Sequence, residues 1–187
     1  MPSDAGFSDL LNAMKKVAAT LRDNGIAFAL AGGIAVYARG GPETDHDVDF
    51  VLEPVDADRA LELLGDAGWR CERPPEGWLY KVYDDKGAMI DLIFRPNNQP
   101  PEVVDQILAR AAELEVYAIS MKVLSVTDVL ASKLLALKEH EVDYEPALEI
   151  ARACREQVDW GVLRELTEDS PYAKAFLTLA SELGLAG

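Results

Sequence analysis

Cysteine is nearly absent from the chain. Cys71 and Cys154 are the only two, far apart and with no second Cys or His at ligand spacing, which argues against a disulfide framework and against a thiolate metal site. Cations are scarce as well. Eighteen Lys and Arg stand against 33 Asp and Glu, a formal charge of −15. A body this acidic repels nucleic acid at long range and counts against a broad RNA-binding surface, although Lys15, Lys16, Arg22, Lys133 and Lys138 could form a local basic patch. The same charge suits a polycationic small molecule. No apolar run reaches the length of a membrane span, and Met1-Pro2-Ser3-Asp4-Ala5 lacks the basic-then-apolar order of a signal peptide. The expectation is a cytoplasmic protein without membrane contact. Internal repeats and low-complexity segments are missing too, and an apolar fraction of 49% over 187 residues supplies a real core.

What is present centres on Leu30-Ala31-Gly32-Gly33, followed a dozen residues later by His46-Asp47-Val48-Asp49-Phe50. An apolar strand running into a double glycine lets the backbone approach a phosphate at the start of the next helix. In a strand, residues two apart project from one face, so Asp47 and Asp49 can address one cation. A third carboxylate, Asp91, interrupts the otherwise apolar Ala88-Met89-Ile90-Asp91-Leu92-Ile93-Phe94. A lone acid in such a strand is costly unless paired or on a metal. Three Asp on neighbouring strands would form the oxygen-rich site that Mg²⁺ prefers in company with substrate phosphates. His46 either touches phosphate, orients Asp47 or is simply solvated.

Gly-Gly, a gap, Asp-hydrophobic-Asp, then a separate hydrophobic-Asp-hydrophobic strand resembles the signature of the DNA polymerase β-like nucleotidyltransferase superfamily. With the downstream Ser132-Lys133-Leu134-Leu135-Ala136-Leu137 helix, the pattern looks most like the AbiEii/MenT-type toxin nucleotidyltransferases. The resemblance covers roughly residues 26–94, with weaker support through Asp143. It implies a catalytic role for Asp47, Asp49, Asp91 and Lys133, with Gly32, Gly33 and Lys133 on the nucleotide and two Mg²⁺ on the three Asp. It also implies a nucleoside triphosphate substrate, the tRNA 3′ end as acceptor and a cognate antitoxin as partner. Two departures stand out: Asp45 replaces a family Ser or Thr, with Thr44 one residue out of register, and Val142 replaces the base that precedes the family's Asp, here Asp143.

Periodicity fills in the rest. A helix over residues 10–21 is stopped by Gly25, and strands are expected over 26–31 and 47–52. A hairpin joins 77–83 to 87–94, and residues 116–126 read as one extended segment completing the sheet. Ser125-Val126-Thr127-Asp128 reads as a capping box opening a helix through about residue 140, with Lys133 inside its apolar stripe. The fold expected is α/β (α+β), a mixed sheet with flanking helices. It divides into a core over 1–126 and a C-terminal helical domain over 127–187. Two other functions stay open: a small-molecule nucleotidyltransferase of the aminoglycoside type, and a catalytically silent nucleotide- or partner-binding module.

Overall fold

In the computed structural model, residues 6–44 and 47–186 are described. Helix α1, Phe7–Asp23, turns Leu10, Met14, Val17 and Leu21 inward, all buried, and Gly25 at φ 70° ends it. Strand β1, Phe28–Ala31, runs directly into the short helix α2, Gly32–Tyr37. Next come β2, Val48–Leu52, then α3, Pro54–Asp66, then three strands, β3 (Arg70–Glu72), β4 (Leu79–Tyr83) and β5 (Met89–Ile93). After a 3-10 turn at Pro96–Asn98 come α4, Pro101–Arg110, and strands β6, Ala112–Val116, and β7, Ile119–Val123. Helices α5 (Val126–Leu135), α6 (Glu145–Cys154), α7 (Trp160–Leu166) and α8 (Pro171–Glu182) finish the chain.

The strands form one mixed sheet in the order β3-β4-β5-β2-β1-β7-β6. Two of its pairings converge on Asp91. β2 lies parallel to β5 with Asp49 opposite Asp91, and β4 lies antiparallel to β5 with Lys81 opposite Asp91. The buried side chains form one cluster reaching from Leu10 in α1 through the sheet to Ala180 in α8. Among the described residues, no helix is long and apolar enough to cross a membrane.

Two segments differ from the sequence expectation. Residues 116–126 form no single strand, because the chain reverses at Tyr117 and Ala118, at φ 49° and 65°, and pairs β6 with β7. Neither residue is the Gly or Asn that normally marks such a turn, so the reversal left no signal. Helix α4 ends at Arg110 to free residues 112–116 for that hairpin. Helix α5 stops at Leu135 rather than near residue 140. Residues 138–141 are all exposed, leaving no apolar face to hold further turns, and a Lys138–Glu141 bridge folds the chain back toward α6.

Candidate active site

The site grows from the junction of β1 and α2. Gly32 sits at φ +62°, and a Cβ built there would meet Asp49 Oδ2 at 1.9 Å. The first glycine is therefore demanded twice, by its left-handed backbone and by a carboxylate occupying the place of its side chain. The second glycine makes room for Thr44, since a Cβ on Gly33 would lie 2.7 Å from Thr44 Oγ1. The double glycine that suggested phosphate approach is thus also the packing partner of the acid and hydroxyl side chains around it.

Asp49 keeps some surface toward the cleft while protein crowds its carboxylate. Burial, then the charges of Asp91 and Asp47, push it up to about 7, and Lys133 and Lys81 pull it partly back. Asp91 is buried and also raised, chiefly by desolvation, with Lys81 opposing. Lys81 Nζ donates to Asp91 Oδ1 at 2.8 Å and to Oδ2 at 3.0 Å. The β4–β5 register sets Lys81 directly across from the acid. Asp47 is exposed at the edge of the same acidic group.

Lys133 reaches this group from α5, half-buried. The helix that presents it is pinned at several points. Ser125 Oγ accepts from the Asp128 backbone N–H at 3.0 Å, which realises the expected cap, and donates to Asp128 Oδ2 at 2.6 Å. The buried Asp128 also accepts from Arg110 Nη2 at 2.5 Å. Arg39, just past α2, donates to the carbonyls of Leu124 and Val123 at 2.6 and 2.8 Å, and Asn97 Nδ2 donates to the Ser132 carbonyl at 3.3 Å.

Two cavities adjoin Lys133. One, of about 210 Å³, is mainly apolar and bounded by Gly32, Asp49, Trp78, Ile93, Asn97 and Val129. The other, of about 250 Å³, runs past Gly33 and Thr44 and is rimmed by the exposed carboxylates of Glu43 and Glu149.

Among the expected site residues, Gly32, Gly33, Asp49 and Lys133 line these cavities, and Asp47 and Asp91 act on Asp49 through their charge. His46 lies outside the described residues. Asp143 is exposed and accepts from the Glu145 backbone N–H at 2.9 Å at the start of α6. Both cysteines are free thiols. Lys81, Trp78, Asn97 and the Arg39–Arg110–Asp128 anchor are the additions. Only Lys81 had a usable signal, since counting back across the Asp84–Gly87 turn sets it against Asp91.

The carboxylates fit a divalent cation. Asp49 and Asp91 share a sheet face in register, and their mutual repulsion, with that of Asp47, is what a bound cation relieves. Yet among the described residues no three acid, imidazole or thiol side chains converge as a ready metal cage.

The seven-stranded mixed sheet with flanking helices is that of a nucleotidyltransferase. The chain belongs to the family described as uncharacterised nucleotidyltransferase, whose model matches residues 8–186. No curated protein matches it by sequence. Solved structures resemble it at low identity. The antibiotic-resistance factor ANT(2'')-Ia is 13% identical with a TM-score of 0.59, over 96% of this chain and 97% of that one. The lincosamide antibiotic adenylyltransferase LnuA, in its lincomycin-bound form, is 12% identical with a TM-score of 0.52, over 76% and 92%. The Megavirus polyadenylate synthase is 16% identical with a TM-score of 0.56, over 81% of this chain and 32% of that one.

Proposed function

We propose that this nucleotidyltransferase moves a nucleoside monophosphate from a nucleoside triphosphate to a hydroxyl of a small, cationic acceptor. The carrying observation is the acidic rim of Glu43 and Glu149 on the cavity that adjoins Gly33 and Lys133. An RNA acceptor such as the tRNA 3′ end, with a toxin's role and an antitoxin partner, would call for a basic track leading to Asp91. The nearest lysine, Lys81, is bound to Asp91 itself, and Lys16 lies instead beside Gly68, Trp69, Asp84 and Asp85. The names of the antibiotic-modifying relatives serve as a guide to the acceptors worth testing.

In this reading Asp47 and Asp49 would hold Mg²⁺ beside Asp91. When bound, the metal supplies charge stabilisation at the transferring phosphoryl group. Lys133 places positive charge between the two cavities, where the phosphates of one substrate must meet the acceptor of the other. The apolar cavity beside Trp78 suits a nucleobase. Asp91, its basicity raised by burial, takes the acceptor hydroxyl's proton. The acceptor oxygen bonds to the α-phosphorus and the bond to pyrophosphate breaks.

The test is transfer of label from each of four α-³²P nucleoside triphosphates, with Mg²⁺, to a panel of amine-bearing antibiotics and, separately, to total tRNA. Label on a small amine that disappears in Asp49→Asn supports the proposal. Label on tRNA alone moves the protein to the toxin reading. Nucleotide binding without transfer to anything would make it a silent module.

A further inference from the structure

The Lys81–Asp91 pair changes the electrostatics of the site beyond what three aspartates imply. The Lys81 side chain is 27% exposed and that of Asp91 11%, so the pair is largely shielded from water and from salt. Lys81 Nζ contacts both carboxylate oxygens, at 2.8 and 3.0 Å, and packs 3.7 Å from Met89 Sδ. The pairing is written into the backbone. Lys81 and Asp91 are directly opposed in the antiparallel β4–β5 ladder, and Asp91 is opposed to Asp49 in the parallel β2–β5 ladder. Lys81, Asp91 and Asp49 therefore form a row across three strands. A cation in the coordination shell of Asp91 would have to approach carboxylate oxygens that already hold the Lys81 ammonium at 2.8 and 3.0 Å. The ammonium would then face the incoming cation at short range, where like charges repel. Asp49, in contrast, makes no ion pair with any described residue, and no three acid side chains converge as a cage among the described residues.

We propose that Lys81 is a fixed internal cation standing in for a second metal ion. The site takes one divalent cation, on Asp47 and Asp49, while Asp91 stays on Lys81 and faces the acceptor. Lys81 is then a positioning residue. It holds the Asp91 carboxylate by both oxygens and leaves each a lone pair for the acceptor hydroxyl. This inference rests on the proposed nucleotidyl transfer, and its test counts metal rather than product.

The experiment is Mn²⁺ titration of the full chain followed by electron paramagnetic resonance, in the presence of α,β-methylene nucleoside triphosphates. The wild-type protein should bind one Mn²⁺ per nucleotide-loaded chain and Lys81→Met two, with Lys81→Arg restoring one. Should Lys81→Met fail to fold, Asp91→Asn gives the second reading. Asp91→Asn should keep wild-type Mn²⁺ affinity, whereas Asp49→Asn should lose about tenfold or more. Two Mn²⁺ on the wild-type protein, or an Asp91→Asn loss equal to that of Asp49→Asn, would overturn Lys81's role and leave nucleotidyl transfer standing. No Mn²⁺ binding at all would remove the carboxylate metal site, and the inference with it.

Discussion

Gly32 and Asp49 are one feature seen from two strands. Any side chain at 32 collides with the carboxylate at 49 and must also accept a left-handed backbone. Gly32→Ala should therefore lower stability by at least about 1 kcal/mol in urea unfolding, and it should displace Asp49 enough to abolish transfer. Gly33→Ala meets only the Thr44 side chain, with no positive φ, and should cost less. Asp49 also predicts a pH dependence. Its folded-state value of about 7 lies above the ordinary 3.8, so between those limits the folded protein binds the extra proton. Stability then falls as pH rises from about 4 to 7 in metal-free protein. Asp49→Asn removes this loss, so calorimetry in chelator should show a higher Tm for the variant at pH 8 and none of that gain at pH 4. Each pKa unit carries about 1.4 kcal/mol. Added Mg²⁺ should reverse the order at pH 8 by stabilising only the wild-type protein.

At the scale of elements, helix α5 decides where Lys133 stands. Its first turn is held by the Ser125 cap and by the Asp128–Arg110 pair, with Asp128 only 5% exposed. Removing one partner of a buried pair strands the other charge. Arg110→Ala should cost about 3–5 kcal/mol, read from thermal or denaturant unfolding. Arg110→Lys should recover part of it, because a point charge cannot reproduce the contacts of two guanidinium nitrogens. Arg110 lines neither cavity, but its partner Asp128 borders the one beside Lys133, so any residual folded protein should show a raised KM for nucleotide from a displaced Asp128 and Lys133. The buried apolar residues of α5 to α8 belong to the same cluster as those of the sheet.

The whole molecule carries −15, and the exposed Glu43 and Glu149 bring that field to the rim of one cavity. A cationic acceptor would be steered there by charge that salt screens over about 10 Å at 0.1 M. The KM for such an acceptor should rise several-fold between 50 and 500 mM salt in steady-state assays. kcat should change little, because the shielded Lys81–Asp91 pair and the half-buried Lys133 are screened far less. Glu149→Gln should blunt the salt effect without affecting the fold, since Glu149 is exposed.

The amino-acid sequence by itself determined the local features. The α1 stripe, the β1–Gly-Gly–α2 junction, the Ser125 cap and the isolated Asp91 each rest on contacts within a few residues. Asp47 and Asp49 were legible as a pair because alternation along a strand is a local rule. The tertiary structure alone decided the rest. Lys81 reaches Asp91 through a cross-strand register, and Asp49 fills the vacancy at Gly32 only because β2 folds antiparallel onto β1. Lys133 faces the carboxylates because Arg39, Asn97 and Arg110, distant in the chain, fix the helix that carries it. The β6–β7 reversal at Tyr117 and Ala118 was illegible for a related reason. Strand pairing compensates two positive φ angles that those residue types do not choose on their own.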